Sequence, residues 1–571
     1  MKKQNILYAI FSLLIISFAS CEEGLLDDTP LDKKSAYDVF KDSTRVDAYV
    51  LGLYKYLPNG YNRFDNQAML SSATDESTQC IPNNGMTPFI NGSWGPTSNP
   101  DAAWASNYEG LMMVNVLFEN IHMLYPTTSE EFKNSVLAEA HFLRAYYHFE
   151  LIKRFGGIPI VTKTFTVNDS PDVPRNTYKE CVEFVINECD SALQYLPTVE
   201  VAARVGRATG VAAMALKSRM LLYAASPLFN GPDVTGTLNE LVGYGTYSRD
   251  RWNAAAEAAH HLLELYPAQI ALYNTGANGT VKYQNLFIKP ALAQNKENLM
   301  VKTRQQDNDI EKNNAPIGYT NARGGVCPSQ NLVDAYEMKN GKAIGEAGSG
   351  YDKNNPYANR DPRLAATIQY NGATWWNRKV ETFTGGLDAH DADINATKTG
   401  YYLRKFSDPA AIIFGNTKKG IHYFPLFRAG EVLLNYAEAM NEAYGPDVDF
   451  YGDGRTAVWA VNEIRKRAGM PALPKNKLTY DEMKKKIIHE RRIELAFEEH
   501  RHWDIRRWKI AEEVFREPIK GVRIDAAVTP IEYTYFEVEQ RTFTPKMYLY
   551  PLPKSECYKN KALVQNPLWD K

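Results

Sequence analysis

Three features of this 571-residue sequence predict a mainly α-helical fold with little β structure. Apolar residues recur at helical spacing over much of the chain, the recurring stretches end at helix-stopping residues, and two irregular stretches interrupt them. Val136, Ala140, Leu143, Tyr147 and Leu151 show the recurrence, stepping by four, three, four and four along one helix face. In chain order, helices are expected near 34–57, 101–124, 128–155, 176–196, 206–225, 249–265, 429–444, 455–468 and 480–516. Phe155-Gly156-Gly157-Ile158-Pro159 stops one of them and Ser226-Pro227 another. Short turns between successive helices point to antiparallel pairs packed side by side, and the Ala-rich run from Ala212 to Ala225 suits close approach.

Over about 58–100 and 268–428 the periodicity fades and Gly, Asn, Pro and Thr become frequent, with short β-like pieces such as Tyr401-Tyr402-Leu403-Arg404. Irregular segments of this length inside a compact protein are functional or disordered, and their aromatic content argues against disorder. They are therefore the first place to seek a site.

The N-terminus reads as an export signal. Lys2 and Lys3 precede an apolar run from Ile6 to Phe18, then small Ala19 and Ser20, then Cys21. The run is short for a bilayer span. A cysteine at the cleavage point resembles the bacterial lipobox, although Phe18 stands where Leu is usual. Residues 1–20 are thus read as signal peptide, and Cys21 as the lipidation site, with an ordinary secreted protein as the alternative. The acidic pair Glu22-Glu23 resembles the surface-export signal of Bacteroidetes lipoproteins.

Composition excludes some classes. Formal net charge is −2, or −4 without Lys2 and Lys3, and the Lys484-Lys485-Lys486 run sits on a predicted helix, so no nucleic-acid partner is expected. Cys80, Cys181, Cys189, Cys327 and Cys557 show no CxxC spacing and read as small buried residues. Asp391-Ala392-Asp393-Ile394-Asn395 opens like a calcium loop, but Ala396 and Tyr402 stand where Gly and Glu are required. No metal or cofactor is expected. No HExxH, GxSxG, Walker or GxGxxG pattern occurs, so catalysis is not expected. Glu490, Glu494, Glu498 and Asp504 each have Arg or His within a turn, which marks an ion-pair network rather than a hydrolytic pair.

The binding candidates are aromatics in the irregular stretches, because the C–H faces of sugars lie flat on rings while their hydroxyls need polar partners. Trp94, in Asn91-Gly92-Ser93-Trp94-Gly95-Pro96, reads as an exposed turn residue. Trp375 and Trp376 follow Asn371-Gly372, and in extended chain only one of the two would face solvent. Tyr319 and Arg323 would add a ring and a multi-donor fork, with Asp75, Asn83, Asn84 and Asn321 as polar partners. Trp104, Trp459, Trp503 and Trp508 lie on apolar helix faces and are assigned to packing.

The run Glu490-Arg491-Arg492-Ile493-Glu494-Leu495-Ala496-Phe497-Glu498, continuing to Trp503-Asp504-Ile505-Arg506-Arg507-Trp508, closely resembles a signature of the SusD/RagB family of outer-membrane lipoproteins. Further matching segments keep the family's order: Asp27-Asp28-Thr29-Pro30, Arg144-Ala145-Tyr146-Tyr147, Tyr223-Ala224-Ala225-Ser226-Pro227, Asn462-Glu463-Ile464-Arg465, Tyr548-Leu549-Tyr550-Pro551 and Gln565-Asn566-Pro567. Glu499 departs from the pattern, where Gly is common. The resemblance implies one domain over 21–571, in which tetratricopeptide-like helix pairs (about 34–57, 101–265 and 429–516) support the irregular binding portion. It also implies a surface lipoprotein that captures oligo- or polysaccharide and delivers it to a SusC-type TonB-dependent transporter. Peptide capture, as in RagB-like members, is the alternative, followed by a glycoside hydrolase and by a scaffold without a small ligand.

Overall fold

The computed structural model describes residues 35–64, 68–81, 85–199, 204–288 and 295–569; Cys21, Asn83 and Asn84 lie outside them. The described chain is mostly helical. The main helices are α1 (Ala103–Asn120), α2 (Glu130–Phe155), α3 (Tyr178–Leu193), α4 (Gly210–Ala225) and α5 (Asp250–Leu263), then α6 (Ala429–Ala443), α7 (Ala457–Ala468), α8 (Tyr480–Glu494) and α9 (His500–Arg507). Each of α1 to α7 packs against the next, so α6 continues the stack begun by α5 although the long irregular stretch separates them in sequence.

The helix ends follow local chemistry. Ser129, Thr177, Thr209, Thr456 and Thr479 each accept a backbone N–H at a helix start, and Thr177–Glu180 and Thr479–Glu482 form full capping boxes. Gly469 ends α7 at φ 77°, a left-handed conformation that glycine adopts freely. Between α1 and α2 the absence of a side chain at Gly110 makes room for the Tyr147 ring: a methyl group there would stand 2.9 Å from it.

The predicted helix over 480–516 is broken into α8, α9 and the short Ala511–Val514. Phe497 and Glu499, at φ 65° and 66°, make the break. Glu499 therefore holds the left-handed conformation that explains why Gly is common there. The irregular stretch contains short helices the periodicity did not mark, Gly279–Ile288, Asp309–Asn314, Gln330–Ala335 and Pro362–Thr367.

Strands form small antiparallel pairs: β1 (Ser77–Gln79) with β3 (Val326–Pro328), β2 (Asn298–Thr303) with β8 (Tyr423–Arg428), β4 (Ile368–Gln369) with β7 (Tyr402–Leu403), β5 (Thr374–Trp375) with β6 (Arg378–Lys379), and β9 (Ile519–Asp525) with β10 (Glu532–Glu539). Among the described residues, no helix is long and apolar enough to cross a membrane.

A buried ion-pair network ties the irregular stretch to α8 and α9. Arg428, at the end of β8, donates to Glu498 (2.6 Å), Glu297 (2.8 Å) and Glu494 (2.8 Å). Arg363 donates to Glu490 (2.6 Å), Glu494 (3.0 Å) and Asp361 (2.7 Å), and Lys405 to Glu498 (2.7 Å). Asp504 bridges Arg491 and Arg507. All four carboxylates singled out in the sequence are thus occupied by cations.

This network sets a pH dependence. Burial raises the carboxyls of Glu494 and Asp504, but the surrounding arginines outweigh it and hold both below the ordinary range, as Arg154 and Arg63 do for Asp101. A carboxylate whose folded pKa is depressed contributes stability that is present above its unfolded pKa and is lost as pH falls through the folded one. The unfolded values lie near 4. The thermal midpoint is therefore expected to fall progressively below about pH 4; a scan that stays level down to pH 2 would contradict it.

Candidate glycan-binding site

The β5–β6 hairpin, the 316–325 loop and the 408–420 loop converge on a small aromatic cluster separate from the main core. Its buried members are Tyr319, Trp375 and Val380, and Ala322, Trp376 and Phe414 lie half-buried at its edge. Trp375 pairs with Arg378 across the hairpin, which leaves Trp376 and Asn377 as a two-residue loop. Trp376 takes φ 44°, a conformation that such loops normally give to glycine. A Trp retained there holds its ring at the rim at a cost of about 1–3 kcal/mol of backbone strain.

The rings brace one another. Trp376 meets Tyr319 edge-on at 4.9 Å and Phe414 at 5.2 Å, while Tyr319 and Phe414 lie nearly parallel at 5.7 Å. Trp375 sits beneath, 5.1 Å from Trp376. Backbone carbonyls fix the orientations: Trp376 Nε1 donates to Ala411 O (3.0 Å), the Tyr319 hydroxyl to Trp375 O (2.5 Å), and Asn321 Nδ2 to Ile413 O (2.9 Å). Burial pushes the Tyr319 hydroxyl up to about 12, so it remains a donor throughout the physiological range.

Arg378 lies 4.0 Å over the Tyr319 ring and makes a two-pronged pair with buried Asp388 (2.6 and 2.8 Å). Asp388 also accepts from the backbone N–H groups of Gly318 (3.0 Å) and Glu381 (2.8 Å), tying the two loops together. A rigid rim of this kind, with exposed Arg323, Asn321 and Asn377 around it, can hold the flat face of a ligand and offer amide and guanidinium donors to its hydroxyls.

The structure thus brings Trp375, Trp376, Tyr319, Asn321 and Arg323 to one place, with Trp376 at the rim and Trp375 packed below it. Phe414 and the Arg378–Asp388 pair were not singled out in the sequence. Phe414 precedes Gly415-Asn416, a turn of the kind that drew attention to Trp376, and that signal was available.

Two candidates are corrected. Trp94 is only 3% exposed and lies among Phe89, Tyr550 and Trp569, with centroids 5.0–5.2 Å away. Gly92, at φ 75°, turns the chain back so that Trp94 points into the core instead of out of the turn. Replacing Trp94 by Ala is expected to cost about 3–5 kcal/mol of stability and to leave ligand affinity of the folded protein unchanged, as denaturant titration and calorimetry would show. Asp75 is buried and paired with Arg501 (2.8 and 2.9 Å) and Arg492 (2.7 Å), whose charges hold its carboxyl well below the usual range despite burial. Its role is to fasten the chain before β1 to α9.

Residues 291–569 match the model of the SusD family, and residues 26–222 match a related model described as starch-binding, associating with outer membrane. The chain belongs to the SusD family. A SusD-like protein of Formosa agariphila, P2, is 25% identical over 487 residues, covering 81% of this chain and 79% of its own. The crystal structure of a SusD-like protein from Bacteroides fragilis superposes with a TM-score of 0.77 at 27% identity, covering 94% of this chain and all of that one. A SusD-like carbohydrate-binding protein from the same species shares the fold, with a TM-score of 0.73 at 24% identity over 93% of this chain and all of that one. The SusD-family signature segment falls on α8 and α9, where the Arg and Glu side chains build the ion-pair network; the aromatic rim lies outside it.

Proposed function

We propose that this protein captures oligo- or polysaccharide at the rim formed by Trp376 and Phe414 over buried Tyr319 and passes it, uncleaved, to a SusC-type TonB-dependent transporter. A lipid on Cys21 would hold it at the outer-membrane surface, which agrees with the family model's reference to that membrane. The observation that carries the reading is Trp376, kept at a strained loop position with its ring braced at the rim. Shared fold adds support: a laminarin-binding SusD-like protein superposes with a TM-score of 0.59 at 19% identity.

Capture without cleavage fits the local charges. Asp388, a carboxylate beside the cluster, is fully engaged by Arg378 and two backbone N–H groups. A retaining or inverting glycosidase needs a second acid kept protonated across the cleft. Release to a transporter favours affinities on the order of micromolar to millimolar, well below the tightest complexes.

The test is titration calorimetry of the mature protein against laminarin, amylopectin, xylan, arabinogalactan and mucin glycans, with reducing ends assayed in parallel. Heat of binding without new reducing ends is expected. New reducing ends would overturn capture in favour of hydrolysis, and heat from a parallel titration with a peptide mixture but from none of the glycans would overturn the glycan reading.

A further inference from the structure

A second aromatic surface adjoins the rim. Tyr533 and Tyr535, two apart on β10, face the body of the protein beside Ile524 and Val522 of β9. Across from them stand Tyr351 and Tyr357 from the turn before Arg360, and Tyr370 from the end of β4. Tyr357 stacks on Tyr370 (4.4 Å, 23°) and meets Tyr533 edge-on at 6.2 Å. The hydroxyls of Tyr351 and Tyr535 lie 3.5 Å apart, and that of Tyr357 lies 3.2 Å from the hydroxyl of buried Tyr401, which forms the floor. Tyr535 is 46% exposed, and Tyr351, Tyr357, Tyr370 and Tyr533 are half-buried. Beside Tyr357 a groove of about 300 Å³ opens, lined by polar groups of Thr280, Lys339 and Asn359.

Five partly open tyrosines from three separate stretches are more ring surface than the hairpin needs for packing, since Val522 and Ile524 already fill the interior at 2% and 0% exposure. The patch is continuous with the rim. Five residues separate Tyr370 from Trp376, and Arg404 lies 5.5 Å over Trp375 while its charge acts on Tyr370. Tyrosine is suited to sugars in particular, because each ring offers a flat apolar face and a hydroxyl that donates and accepts.

We propose that this tyrosine patch is a second glycan-binding surface, and that the cargo is a polysaccharide long enough to lie across both it and the Trp376 rim. The inference rests on the glycan-capture reading above and specifies the length class of its ligand. The two surfaces act as linked sites on one chain, so a long ligand gains avidity that a short one cannot reach.

The experiment is affinity electrophoresis of the purified protein in gels cast with laminarin, amylopectin, xylan, arabinogalactan or mucin, paired with calorimetry on hexasaccharides of the retained polymer. Wild type, Tyr351→Ala/Tyr535→Ala, Tyr351→Phe/Tyr535→Phe and Trp376→Ala are compared. The two hydroxyls pair with each other at the surface, so their removal leaves the core intact. The double alanine variant is expected to bind the polymer about tenfold more weakly, with hexasaccharide affinity unchanged and a wild-type melting curve. The double phenylalanine variant is expected to keep most of the polymer binding. Polymer retention equal to wild type in the alanine variant, with retention lost in Trp376→Ala, overturns the second surface alone. Undiminished retention in Trp376→Ala, or no retention by any polymer, overturns the capture site as well.

Discussion

Replacing Trp376 by alanine is expected to weaken glycan binding by about ten- to a hundredfold while lowering stability by only about 1 kcal/mol. The indole is half-buried, and its one hydrogen bond goes to Ala411 O, so its loss leaves no buried charge and opens no deep cavity. What disappears is the ring that Tyr319 and Phe414 brace. Trp376→Gly gives a sharper form of the test. Glycine relaxes at φ 44°, so the hairpin is expected to become as stable as wild type or more so, yet binding is lost. A glycine variant that binds normally would show that the strained tryptophan serves some purpose other than ligand contact. Calorimetry with the retained glycan, beside thermal melts of all three proteins, separates the outcomes.

A large loss of stability is expected at Arg428. Its side chain is 1% exposed and serves Glu297, Glu494 and Glu498 at once. Arg428→Ala leaves three buried carboxylates short of a cation, and removing one partner of a buried pair costs about 3–5 kcal/mol. By contrast, breaking the exposed Lys559–Glu556 pair is expected to cost less than about 1 kcal/mol. Chemical denaturation of the two variants checks the contrast. If Arg428→Ala melts like wild type, the network does not fasten the irregular stretch to α8 and α9 as described.

Helix positions were legible because their signals are local. Apolar spacing, Thr and Ser caps and the Gly469 stop each act within a turn or two, and the observed helices fall where these marks place them. The break at 495–499 was less legible. Continuous helical periodicity runs through it, and the cause is tertiary: carboxylates from both sides of the turn reach Arg428 from β8. The β9–β10 hairpin escaped notice for a similar reason, since its inner face is completed by tyrosines from far upstream.

At the site, residue type was informative and burial was not. Trp94 and Trp376 both sit beside Gly-containing turns, but one turn folds its ring inward against Trp569 and the other holds it at a rim. The difference depends on chain more than 400 residues away for Trp94, which no local pattern encodes. Asp75 misled in the same way, because its partners Arg492 and Arg501 lie at the other end of the sequence.

The most direct test of the central claim is a crystal structure of the protein with an oligosaccharide of the glycan it binds most tightly. A sugar ring is expected to lie against Trp376 or Phe414, with hydroxyls in reach of Asn321, Asn377 or Arg323. A ligand bound elsewhere, with the Trp376–Phe414 rim empty, would rule out this site.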